Sequence, residues 1–102
     1  MGFLNRKRDA ASPDKFNKVF TVQNRLGLHA RPSAQFVKLC SRFRCEVWVE
    51  KDDEQVNGKS IMGLMMLAAG LGSKLKVTCE GADAEKALAD IEELINRKFD
   101  ED

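Results

Sequence analysis

The chain has 102 residues, and 43% of them are hydrophobic, enough for one domain with a core that needs no metal or disulfide staples. Seventeen basic side chains against sixteen acidic ones leave a formal charge of +1, so no global field draws the chain to nucleic acid or to an anionic membrane. No transmembrane run appears. Cys40, Cys45 and Cys79 follow no CxxC or zinc spacing, and one histidine cannot complete a Cys/His metal set. They read as reduced, partly buried thiols, which together with the lack of a signal peptide points to the cytoplasm.

Residues 1–15 mix charges with Ala10-Ala11-Ser12-Pro13-Asp14 and show no sustained periodicity. They read as a flexible N-terminal extension to a domain spanning 16–102. From Lys18 to Gln23, the β-branched and aromatic residues Val19, Phe20, Thr21 and Val22 predict a first strand. It leads through Gly27, a turn signal, to His29, the only histidine. Pro32 can stand in the first turn of a helix, where its missing N–H would be unpaired anyway. The helix is expected over Ala30–Ser41, with Ser33, Phe36, Val37 and Cys40 facing the core and His29 at or near the N-cap.

That place has chemical consequences. Free N–H groups and the positive end of the helix dipole make an anion site beside the imidazole, and Arg31 adds a permanent charge. Both disfavour imidazolium, so the ring is expected to be a neutral nucleophile at physiological pH. The bland alternative is that His29 merely caps the helix or ends a turn. Local residues do not decide between the two.

Cys45, Val47 and Val49 alternate with Glu46, Trp48 and Glu50 in a half-buried second strand. The charged turn Lys51-Asp52-Asp53-Glu54 joins it to a short third strand at Gln55-Val56-Asn57. Ser60 is expected to cap a second helix that runs from Ile61 to about Gly70 or Gly72. In that helix Leu64, Leu67, Ala68 and Leu71 form a core stripe and leave Ile61, Met62 and Met65 on another face, read either as extra core or as an adaptable docking surface. Leu75, Val77 and Cys79 mark a fourth strand, and Asp83 opens a last helix with a stripe at Ala84, Ala87, Leu88, Ile91, Leu94 and Ile95. The acidic tail Asp100-Glu101-Asp102 is expected to fray.

The order β-α-β-β-α-β-α predicts an α+β fold, an open-faced two-layer sandwich with a four-stranded antiparallel sheet and three helices on one face. Some RNA-binding folds share that outline, but no aromatic RNP-like strand is present and Trp48 lies among glutamates. No nucleophile, base and orienting acid assemble around one histidine, and no phosphate-binding glycine motif appears, which argues against a self-sufficient enzyme.

Two separate segments resemble the HPr family, the histidine-containing phosphocarriers of the bacterial phosphoenolpyruvate phosphotransferase system. Gly27-Leu28-His29-Ala30-Arg31-Pro32 is similar to the family's phosphohistidine signature, and Lys59-Ser60-Ile61-Met62-Gly63-Leu64-Met65-Met66-Leu67 to its regulatory-serine segment. The likeness covers about residues 17 to 98. It implies a carrier, not an independent catalyst, that takes phosphate on Nδ1 of His29 from phosphorylated enzyme I and passes it to an enzyme IIA domain for sugar uptake.

By the same resemblance Arg31 neutralises the phosphoryl oxygens, and Ala30, Ala34, Ile61, Met62 and Met65 form the docking surface. No cofactor or metal is implied, and the carrier is expected to be a monomer. Ser60 corresponds to the serine that an HPr kinase/phosphorylase modifies, which would add about two negative charges beside the docking face. Ser33 stands where many members carry alanine, and the long N-terminus is atypical. The resemblance leaves open a nitrogen-type regulatory phosphorelay, a regulatory binding module acting through phospho-Ser60, and a transcriptional regulator as a further partner.

Overall fold

The computed structural model describes residues 14–101. Residues 1–13, most of the expected extension, lie outside the described residues, as does Asp102. The elements are β1 (Lys15–Thr21), α1 (Ala30–Cys40), β2 (Glu46–Lys51), β3 (Glu54–Asn57), α2 (Ile61–Met66), β4 (Lys74–Glu80), α3 (Ala84–Asn96) and a 3-10 turn at Lys98–Asp100. The four strands form one antiparallel sheet in the order β1-β4-β2-β3, the α+β architecture that the sequence predicts.

Period-two alternation fixes which face of the sheet is buried. Leu75, Val77 and Cys79 of β4 and Val47 and Val49 of β2 point inward, while Lys74, Lys76 and Glu80 face water. Trp48 lies half-buried on the outer face, paired with Asn57 and Thr78 across the neighbouring strands. Strand β1 begins three residues before the expected start, because Phe16 pairs with Cys79 and packs on the core. At this edge Lys18 reaches α3 and binds the Glu92 carboxylate at 2.6 Å.

The helices cover the inner face. In α1 Pro32, Ser33, Phe36 and Cys40 are buried, and in α3 Ala84, Ala87, Ile91, Leu94 and Ile95 are, close to the predicted stripes. Asp83 does not cap its helix by a side-chain bond; its carboxylate instead accepts the N–H groups of Arg44 and Cys45. Those bonds, Arg44's first, hold the Asp83 carboxyl below its ordinary range. The three cysteines are free and fully buried, and loss of hydration pushes the thiols of Cys40 and Cys79 up to about 12.

Two expectations fail. Helix α2 ends at Met66, well short of Gly70, because Ala68 adopts φ +51° and turns the chain away. The predicted stripe therefore breaks: Leu64 and Leu67 are buried as expected, but Ala68 and Leu71 are exposed and Ala69 is buried in their place. The acidic tail does not fray at Asp100 and Glu101. Phe99, 1% exposed, plugs into the core and holds that segment against the body of the domain.

Candidate functional site

His29 is the N-cap residue of α1, in extended backbone, and its side chain makes no capping hydrogen bond. The imidazole thus does not cap the helix. Behind it the helix opens with the N–H groups of Ala30 and Arg31, which have no acceptor within the helix, since the first intrahelical bond runs from Ser33 N–H to the His29 carbonyl at 3.1 Å. Pro32 adds no N–H and fits the first turn. Arg31 is exposed, and its charge is felt at Glu101.

The approach to His29 is tightly specified. Asn24 and Ser33, the two wholly buried polar side chains among the described residues, both serve it. Asn24 Nδ2 donates to the Gly27 carbonyl at 2.8 Å, and the Ser33 hydroxyl donates to the Leu28 carbonyl at 3.1 Å. The Leu28 N–H donates in turn to the Ala69 carbonyl at 2.9 Å, which ties this loop to the segment after α2. Gly27 has φ +67°, and a Cβ there would stand 2.2 Å from the Ala69 oxygen, so both backbone conformation and space demand glycine.

The ring itself meets a residue that sequence reading did not place. Glu101 Oε1 lies 3.0 Å from His29 Nε2 and accepts from Asn24 Nδ2 at 2.9 Å. The bond to His29 is the main reason, and that to Asn24 the next, that the Glu101 carboxyl is held below the ordinary carboxylate range. The expectation of a purely electropositive setting thus needs correction: a carboxylate shares it with Arg31 and the helix terminus. The signal available in the sequence was Phe99, an isolated aromatic in a charged tail that buries itself and brings Glu101 along.

Beside the histidine lies an apolar shelf. Ile61, Met62, Met65 and Met66 are exposed, Met62 at 73% and Met66 at 65%, so α2 buries only one side. A shallow depression of about 300 Å³, lined by Leu26, Leu28, His29, Met65, Ala68, Ala69 and Gly70, joins this shelf to the imidazole. Met65 belongs to both. Ala30 and Ala34 are exposed on α1, the helix that packs against α2.

Ser60 caps α2, its Oγ accepting the Gly63 N–H at 2.9 Å. A Cβ at Gly63 would lie 3.2 Å from that oxygen, so glycine keeps the cap open. No group of three or more metal-ligating side chains occurs among the described residues, and no helix there is long and apolar enough to cross a membrane. A groove between α1 and α3 is lined by charges that largely pair with one another, Lys86 with Asp90 and Arg97 with Glu93, and holds no nucleophile.

Residues 16–97 match the PTS-HPr family, described as the PTS HPr component phosphorylation site. The chain belongs to this family. The phosphocarrier protein HPr of Neisseria meningitidis serogroup B is 53% identical over 80 residues, covering 78% of this chain and 90% of the relative. The crystal structure of HPr-C-His from Thermoanaerobacter tengcongensis superposes with a TM-score of 0.82 at 44% identity, over 85% of this chain and 98% of that one. The HPr-like protein Crh of Halalkalibacterium halodurans is 48% identical over 71 residues, 70% of this chain and 84% of the relative. HPr proteins are phosphate carriers of the bacterial phosphotransferase system rather than independent catalysts, and the open-faced sheet with its helices is theirs.

Proposed function

We propose that this chain carries a phosphoryl group on Nδ1 of His29, accepting it from phosphorylated enzyme I and donating it to an enzyme IIA domain in sugar uptake. The observation that carries this reading is the contact the ring makes, Nε2 against the Glu101 carboxylate at 3.0 Å. A carboxylate can only accept, so in this contact Nε2 bears a hydrogen, and in the neutral ring the lone pair then lies on Nδ1. A neutral imidazole with Nδ1 free can attack phosphorus without a general base.

Phosphoryl transfer depends mostly on alignment and on charge stabilisation. The free N–H groups of Ala30 and Arg31, the end of the helix dipole and the Arg31 guanidinium would meet the phosphoryl oxygens. The exposed shelf of Ile61, Met62 and Met65, with Ala30 and Ala34 alongside, would dock the partner and exclude water from the transfer. Methionine suits a surface that must fit donor and acceptor in turn. The chain would act in the cytoplasm as a monomer.

Ser60 is proposed as the regulatory site, modified by an HPr kinase/phosphorylase. A phosphate there adds about two negative charges at the edge of an apolar docking face, and so opposes docking without unfolding a helix whose first turn accepts an anion. A purely regulatory role for the chain is disfavoured by the intact His29 site.

The test is transfer of labelled phosphate from phosphoenolpyruvate through purified enzyme I to the native chain and to His29→Ala. Acid-labile, base-stable label on the native chain only is the expected result. No label on the native chain would overturn the carrier reading in favour of a Ser60-centred regulatory one.

A further inference from the structure

The backbone at the C-terminal end is unusual. Lys98, Phe99 and Asp100 have φ of 57°, 55° and 59°, three consecutive residues with a Cβ in the left-handed region. Such a run persists only where its surroundings over-determine it. Phe99 supplies the anchor, fully inside the core, and the result is that the Glu101 carboxylate is delivered to one place, between Asn24 Nδ2 and His29 Nε2. Asn24 is wholly buried, and its amide joins the Gly27 turn to this carboxylate. Turn, strap and ring therefore form one connected unit.

Resting on the carrier reading above, we infer that Glu101 is a positioning residue and counter-charge for phosphoryl transfer at His29, presented by the strap Lys98–Glu101. The Nδ1 lone pair forms the new N–P bond while the bond from phosphorus to the donor breaks, its electron pair leaving with the donor. The hydrogen on Nε2 does not move. The phosphorylated ring then carries a formal positive charge, and the Glu101 carboxylate already sits on the nitrogen that shares it. The same bond fixes the ring's rotation, so that Nδ1 is turned away from Glu101 in every molecule rather than in some.

The experiment compares the full chain with Glu101→Ala and Glu101→Gln. One readout is the proton spectrum of the unphosphorylated protein, in which the Nε2-bound proton gives a downfield, exchange-protected signal. The other is the rate of phosphate uptake from phosphorylated enzyme I, with urea unfolding as the control for folding. In Glu101→Ala the proton signal should vanish into solvent exchange. The rate at saturating donor should fall about tenfold, while KM for the donor stays within about twofold. Glu101→Gln keeps an acceptor oxygen but no charge, so it should retain the proton signal and transfer slowly. An unchanged proton signal or an unchanged saturating rate in Glu101→Ala overturns the assignment. A native chain that takes no phosphate overturns the carrier reading instead, while the proton signal still judges the contact by itself.

Discussion

Around His29 the carbonyls of Gly27, Leu28 and His29 each have a donor, from Asn24, the Ser33 hydroxyl and the Ser33 N–H. On α2, by contrast, Ile61, Met62, Met65 and Met66 stand in solvent on a helix of six residues. The first region is held by directional bonds that leave its backbone little freedom. The second is anchored by the buried Leu64 and Leu67 and by one cap, with its outer face left bare. The difference fits the two tasks proposed for them: a nucleophile gains from being fixed before the partner arrives, whereas a docking face that meets several partners gains from area and adaptability.

The comparison breaks most visibly if the rigid side is loosened. Gly27→Ala should cost more than about 2 kcal/mol, since it joins an unfavourable φ to a backbone clash with Ala69. The urea midpoint would fall, and phosphate uptake by whatever remains folded should fall with it. Retention of native stability would mean that the loop is softer than its bonds suggest.

Changing the shelf should do the reverse. Met62→Asp lies on an exposed position, so the unfolding midpoint should hardly move, while KM for the phosphodonor rises about tenfold, or about 1.4 kcal/mol of docking energy. Steady-state transfer at limiting donor measures this. A variant that transfers normally would remove α2 from the interface.

Ser60 sharpens the contrast because it caps α2 at the edge of the proposed docking face. Ser60→Ala should cost about 1 kcal/mol of stability through the lost bond to Gly63 N–H, with transfer nearly intact. Ser60→Asp should keep the cap and the fold yet weaken transfer at limiting partner concentration.

The smallest effect is one of pH. The Glu101 carboxyl lies below its unfolded value, so the stabilisation it gives the strap is fully present above the ordinary carboxylate range and is lost as pH falls through the lowered value. Acidification should release the C-terminal segment before the domain unfolds, seen as loss of amide protection at Glu101 while the β4 amides stay protected.

Much of this was legible in the residues. Alternation at Leu75, Val77 and Cys79 and helical spacing at Phe36 and Cys40 set the elements and their buried faces, because burial repeats with the local geometry. The place of His29 at the helix start followed from Gly27 and Pro32. What could not be read was the end of α2, where Ala68 takes a left-handed turn that no glycine announces, and does so as the chain brings the Ala69 carbonyl to Leu28. The contact of Glu101 with His29 was equally hidden. It joins residues 72 positions apart through the burial of Phe99, and charge patterning alone treats an acidic tail as solvated.

The most direct test of the account is the site of phosphate attachment. The chain, with its histidine labelled in both ring nitrogens, would be phosphorylated through enzyme I and its nitrogen spectrum recorded with phosphorus coupling. Coupling at Nδ1 of His29, with the hydrogen still on Nε2, is the result predicted. Phosphate on Nε2, the nitrogen that Glu101 holds, would contradict it.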